Sequence, residues 1–104
     1  MVTNQDFAQY IADQMARAGK VTLKRMFGEY GLYLNGKFFA MVCDDCLLFK
    51  PTEAGRKLLG TPVLREPYPG AKLCFYVENV DDHELLTALA IATCKELPEP
   101  KRKK

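Results

Sequence analysis

The sequence predicts an α+β fold, a two-layer sandwich in which an antiparallel sheet of about five to six strands carries helices on one face. Three observations predict it. Asn35-Gly36 stands between two alternating apolar and aromatic runs, and this pair is the strongest short-range hairpin signal because both central residues of a type I′ turn need φ > 0. Residues 21–50 are a succession of β-rich runs separated by short polar or glycine breaks, which reads as a meander. Stretches with helical periodicity flank this centre, residues 3–18 before it and 85–97 after it, and a shorter one follows Pro51. The resulting order is α-β-β-β-β-α-β-α.

Each element has its own signals. Residues 3–18 place Phe7, Tyr10, Ile11, Gln14, Met15 and Ala18 on one side at the helical period. Thr3 caps with Asp6 three residues on, Val2 and Phe7 are spaced as a hydrophobic staple, and Gly19 suits the position past the end. Residues 21–27 alternate and form a first strand ahead of a turn at Gly28. Gly28 and Gly31 bracket Tyr30, where a bend, a bulge or a close approach leaves no room for a Cβ. Residues 30–34 and 37–43 are the arms of the Asn35-Gly36 hairpin. Asp44-Asp45 breaks the run, and residues 46–50 form a further strand. Pro51-Thr52-Glu53 is a helix entry, with Thr52 as cap and Glu53 near the positive end of the dipole. Leu58 and Leu59 give that helix an apolar side, and Gly60 ends it. Residues 61–70 hold Pro62, Pro67, Pro69 and Gly70 and read as loop with a short edge segment at residues 63–65. Residues 72–77 are an apolar and aromatic strand. Asp81 is the expected cap of the last helix, with Glu84 in the capping-box position and Val80 and Leu85 as a second staple. Pro98 and Pro100 stop it.

Size and composition fit one domain. The 104 residues are enough for a core of their own and too few for two ordinary domains. Residues 1–98 form that domain, and residues 99–104 are expected to be a disordered basic tail. The net charge is +2, and the last four residues are all basic, so the body is slightly acidic. That balance argues against a duplex-binding module held by a broad basic face. No apolar run is long enough to span a membrane, and residues 1–20 lack the apolar centre of a signal peptide. A cytoplasmic protein with reduced cysteines is expected.

The run Arg25-Met26-Phe27-Gly28, then Tyr30-Gly31-Leu32, Asn35-Gly36-Lys37, Phe39-Ala40, and Leu47 with Lys50, resembles the signature of the TfoX N-terminal domain family, also called Sxy-like. The resemblance covers residues 5–97. It implies a two-layer α+β sandwich, in agreement with the element order above. Full-length members of the family regulate natural competence in bacteria and carry a second, helical domain, which this chain is expected to lack. The resemblance supplies no catalytic residues.

The remaining features each have a structural explanation. Cys43-Asp44-Asp45-Cys46 has the CxxC spacing of zinc sites and redox motifs. A structural zinc site wants four convergent ligands, whereas Cys74 and Cys94 are single. A thioredoxin-type motif opens a helix, whereas this one spans a hairpin turn. His83 falls in the first turn of a capped helix and has no placed nucleophile. The acid pairs Asp44-Asp45 and Asp81-Asp82 fall where turn or cap chemistry accounts for them. Lys20, Lys24, Arg25, Lys37, Lys50, Arg56 and Lys57 interleave with Tyr30, Tyr33 and Phe38, the composition of a single-strand-binding sheet and equally of a solvated rim.

The hairpin register sets the faces. With a two-residue turn, Leu34 pairs with Lys37, Tyr33 with Phe38, Leu32 with Phe39, Gly31 with Ala40 and Tyr30 with Met41. Tyr30, Leu32, Phe39 and Met41 then line one face, and Tyr33, Phe38, Ala40 and Val42 the other. Both are apolar. A large uncovered apolar face marks an interaction site, so a protein partner is expected at the second face or the last helix, most simply in a two-fold homodimer. The loop of residues 61–70, with Leu64 and Tyr68, is the alternative cover. The sequence therefore reads as a non-enzymatic interaction module in transcriptional or competence regulation, with no cofactor and no membrane. Its candidate binding residues are Arg25, Tyr30, Tyr33, Phe38, Lys50, Lys101, Arg102, Lys103 and Lys104; Cys43 and Cys46 are the weak metal candidates. The alternative is a weak nucleic-acid binder using the basic sheet rim and the tail.

Overall fold

The computed structural model describes residues 5–26, 29–43, 45–67 and 69–97. In chain order they form α1 (Gln5–Gln14), a 3₁₀ turn (Ala16–Ala18), β1 (Val21–Met26), β2 (Glu29–Leu34), β3 (Lys37–Cys43), β4 (Cys46–Phe49), α2 (Glu53–Leu59), β5 (Val63–Arg65), β6 (Cys74–Val77) and α3 (His83–Glu96). The six strands make one sheet in the order β1-β2-β3-β4-β6-β5. Every neighbouring pair is antiparallel. The α+β class and the order of elements are those the sequence predicts. Expected features at Val2, Thr3, Gly28, Asp44, Tyr68, Pro98, Pro100 and residues 101–104 lie outside the described residues.

The central turn has the predicted chemistry. Asn35 has φ +51° and Gly36 φ +90°, as a type I′ turn requires. Leu34 pairs with Lys37 and Tyr33 with Phe38, but Leu32 then pairs with Ala40, Gly31 with Met41 and Tyr30 with Val42. Phe39 is the extra residue of a β-bulge. The in-register hairpin expected from the sequence is thus corrected beyond Phe38, and with it the assignment of faces. Ala40 and Val42 turn to the core side with Tyr30 and Leu32, while Met41 goes to the opposite side. The physical reason is packing: the bulge seats the Phe39 ring inside, 5.7 Å from the ring of Phe49, without expelling Ala40 or Val42.

One face of the sheet is covered by helices. Ile11 and Met15 from the first helical segment and Leu86 and Leu89 from α3 are fully buried against Leu32, Phe39, Val42, Leu47 and Phe49. Polar ties fix α1 to the start of α3. The Tyr10 hydroxyl donates to the Asp81 carboxylate, Gln14 Nε2 donates to the Val80 carbonyl at 2.9 Å, and Thr87 Oγ1 donates to the Gln14 carbonyl at 3.3 Å. The cap of α3 is Asp82, whose carboxylate accepts from the Leu85 N–H, one residue later than expected. Asp81 is engaged by Tyr10 instead, and Val80 and Leu85 both pack against the core without the predicted capping box. At the other end of α3, Lys37 Nζ donates to the carbonyls of Cys94 and Leu97, groups that the last turn of a helix leaves without partners.

Candidate functional site

Cross-strand partners project to the same side of a sheet, so the observed register defines the face that none of the described helices covers. One rung runs across the whole sheet as Lys24, Gly31, Met41, Leu48, Tyr76 and Val63. A second holds Thr22, Tyr33 and Phe38, and a third pairs Cys43 with Cys46. Leu48 is the floor: it is 1% exposed and packs with Met41, Cys43, Cys74 and Tyr76 in an apolar cluster separate from the main core.

Three aromatic rings on this face each carry a cation. Lys50 Nζ lies 4.6 Å from the Phe38 ring centroid. The Arg65 guanidinium lies 5.2 Å from that of Tyr76, and Lys24 Nζ lies 5.9 Å from that of Tyr33. Tyr33 and Phe38 are themselves neighbours, with centroids 5.2 Å apart. The quadrupole of each ring attracts the charge, which biases the cations toward positions over the sheet although Lys24 and Arg65 remain exposed. Part of the loop of residues 61–70 does return across one end of the face. There Glu66, Pro67 and Pro69 wall a concavity of about 290 Å³ with Cys43, Cys46, Leu48 and Arg65.

Of the residues the sequence singles out, Tyr33, Phe38 and Lys50 come together on this face. Tyr30 does not, being 7% exposed and buried in the main core on the helix side. Arg25 pairs with Tyr30 and therefore stands on that side of the sheet too. Lys101, Arg102, Lys103 and Lys104 lie outside the described residues. Lys37, grouped with the surface cations in the sequence, is committed to the end of α3. Met41, Leu48, Arg65 and Tyr76 belong to the site and are absent from the sequence-based candidates. The alternation of β4 and β6 is the signal that could have found Leu48 and Tyr76, but the bulge hides Met41.

A second concavity, about 590 Å³, lies on the helix side between α2 and β5 and includes Thr52, Arg56, Leu64, Phe75 and Glu96. Its polar groups serve the fold. Thr52 Oγ1 accepts from the Gly55 N–H at 3.0 Å. The Glu96 carboxylate accepts from the Glu53 and Ala54 N–H groups at 2.9 and 3.0 Å, and these bonds, that from Ala54 first, hold its pKa below the ordinary value. Two thiols are pushed the other way: burial raises Cys74 and Cys94, against a smaller opposing influence of Lys50 and Lys37 respectively. Among the described residues there is no group of three or more His, Cys, Asp or Glu side chains placed to hold a metal, and no helix long and apolar enough to cross a membrane. His83 is exposed at the start of α3.

The sequence model of the TfoX N-terminal domain matches residues 13–94. An uncharacterised 12.7 kDa protein from the trpE 5′ region of Spirochaeta aurantia is 37% identical over 105 residues, spanning 100% of this chain and 91% of that protein.

Proposed function

Since the chain belongs to the TfoX N-terminal domain family, a family related to competence regulation, we propose that it is a non-enzymatic regulatory module that takes a protein segment onto the open face of its sheet. The observation that carries this reading is the set of three cations stacked on three rings around an apolar floor. A lysine or arginine already held over a ring loses less side-chain freedom when it meets a carboxylate than one moving in solvent. Met41 and Tyr76 offer apolar contact between those charges. The complementary partner is a segment carrying acidic and apolar side chains. On this reading the work of the face is recognition, because it combines charge with apolar surface.

The same rings and cations favour a second reading, a single nucleic-acid strand with bases stacked on Tyr33, Phe38 or Tyr76. Glu66 at the rim and Glu29 on the same side of β2 weigh against it, because a phosphate backbone carries charge at every step and would meet these carboxylates, whereas a peptide can set its acidic side chains against the cations alone. The test compares the wild type with a Lys24→Glu, Lys50→Glu, Arg65→Glu variant as bait in bacterial lysate, with and without nuclease. Proteins retained by the wild type after nuclease and lost by the folded variant support the proposal. Retention that disappears with nuclease moves the reading to nucleic acid. Equal retention by both baits removes the open face as the site. If the retained protein is the chain itself, sedimentation equilibrium at micromolar concentration will show a dimer.

A further inference from the structure

We propose that Cys43 and Cys46 form a dithiol site that is oxidised reversibly to a disulfide across the β3–β4 hairpin by small disulfides such as oxidised glutathione. The inference goes beyond the binding role and does not rest on it. Its basis is geometric. Cys43 and Cys46 are direct cross-strand partners, and opposed residues of an antiparallel pair stand about 4.5–5.5 Å apart at Cα. A disulfide spans about 4.4–6.8 Å at Cα. No strand has to move far to close it.

The two sulfurs share one concavity and differ in access. Cys43 is buried, 7% exposed, against Leu48, while Cys46 is half-buried. Both line the 290 Å³ concavity walled by Glu66, Pro67 and Pro69, which gives one half of a small disulfide a place to sit. Arg65 Nη1 donates to Cys46 Sγ at 3.1 Å, putting a cation beside the accessible sulfur and at the mouth of the concavity. Glutathione carries carboxylates and an ammonium, which Arg65 and Glu66, lining the concavity together, can meet respectively. The other two thiols are placed differently: Cys74 donates to the Lys72 carbonyl and Cys94 lies in the main core, and burial raises the pKa of both.

The chemistry balances as two exchanges. The Cys46 thiolate, its proton given to solvent, attacks one sulfur of the small disulfide; that S–S bond breaks and a small thiolate leaves, with Cys46 now in a mixed disulfide. Cys43, losing its proton to solvent, then attacks Cys46 Sγ and expels the second small thiolate. Two protein thiols become one disulfide, and one small disulfide becomes two thiols. Cys46 is the attacking group because it is the more accessible, and Cys43 resolves because it is the group opposite.

The test incubates the full chain in glutathione buffers of rising oxidised fraction, quenches with an alkylating label in denaturant, so that buried thiols react too, and maps peptides by mass spectrometry. Labelling should fall from all four cysteines to Cys74 and Cys94 alone, with a Cys43–Cys46 cross-link that added dithiothreitol reverses. Cys43→Ser should stop at a stable glutathione adduct on Cys46. Cys46→Ser should give little or no adduct. If Cys43→Ser does not fold, the wild-type cross-link and Cys46→Ser still decide the matter. Full labelling of Cys43 and Cys46 in the most oxidising buffer, or a cross-link to Cys74 or Cys94 in their place, would overturn the proposal.

Discussion

Gly55 shows how one atom reverses a propensity argument. Glycine inside a helix costs about 1 kcal/mol relative to alanine, so Gly55→Ala in isolated α2 would be stabilising. In the folded chain an added Cβ would lie 2.9 Å from Thr52 Oγ1, with Thr93 Oγ1 at 3.6 Å and Phe75 at 3.7 Å. Thr52 cannot withdraw without releasing the N–H of residue 55, which it caps. The lost cap and the overpacking outweigh the propensity gain, so Gly55→Ala is expected to lose about 1–2 kcal/mol in urea unfolding. A gain in stability would show that α2 can slide away from α3. Thr52 was legible as a cap because the signal is local, whereas the need for Gly55 comes from Thr93 and Phe75, which are distant in sequence. Thr93 itself is fully buried, and its hydroxyl is without a hydrogen-bond partner among the described residues, so its place is set by shape and not by polarity.

Helix ends are joined to other elements by groups that capping rules, being local, do not reveal. Glu96, in the last turn of α3, accepts two N–H groups from the first turn of α2, so the carboxylate of one helix serves as the anion at the start of another. Those bonds hold its folded pKa below the ordinary value. A depressed carboxyl stabilises the fold above its unfolded pKa, and that contribution is lost as pH falls through the folded pKa. Glu96→Gln removes the charge and turns one acceptor oxygen into a donor. Its melting temperature is therefore expected below that of the wild type at neutral pH, and the two curves should converge in acid, where wild-type Glu96 is also neutral. Melting curves recorded from neutral to acid pH measure this, and a constant gap across the range would refute it. The cap of α3 was misplaced by one residue for a related reason: Asp81 and Asp82 look equivalent in sequence, and the choice falls to Asp82 because Tyr10, from α1, engages Asp81.

For the molecule as a whole, α1, α3 and all four central strands share one buried cluster. Such a core predicts a single cooperative transition, with near- and far-ultraviolet circular dichroism melting together. Leu89→Ala, at a fully buried position in that cluster, is expected to cost about 2–5 kcal/mol and to shift both signals equally. Separate transitions would mean that the helical layer unfolds independently of the sheet. The fold class and order of elements were legible because turn residues and periodicities are written locally, at Asn35-Gly36, Thr52 and Gly60. The faces of β3 were not, since nothing within 37–43 marks the extra residue; only the fit of Phe39 beneath the helices does. The candidate site followed suit. Tyr33 and Phe38 lie on the turn side of the bulge and share a face as the sequence predicts, whereas Tyr30 is expected beside Met41 and is separated from it by the sheet.

That extra residue gives the hairpin a parity. Because side chains alternate along a strand, removing Phe39 alone would rejoin Phe38 directly to Ala40 and cancel the offset in length that the bulge supplies. Everything from residue 40 to the β4 turn would keep its partners and its side, since Phe38 already faces Tyr33 and Ala40 already faces Leu32, and the cost would be the Phe39 ring missing from the core. Length changes in this arm are therefore not equivalent to length changes in a loop. Descendants of such a chain can accumulate substitutions along β3 where size and polarity are kept, while a one-codon gain there adds a second residue without a partner and turns part of the strand away from the helices unless another bulge absorbs it.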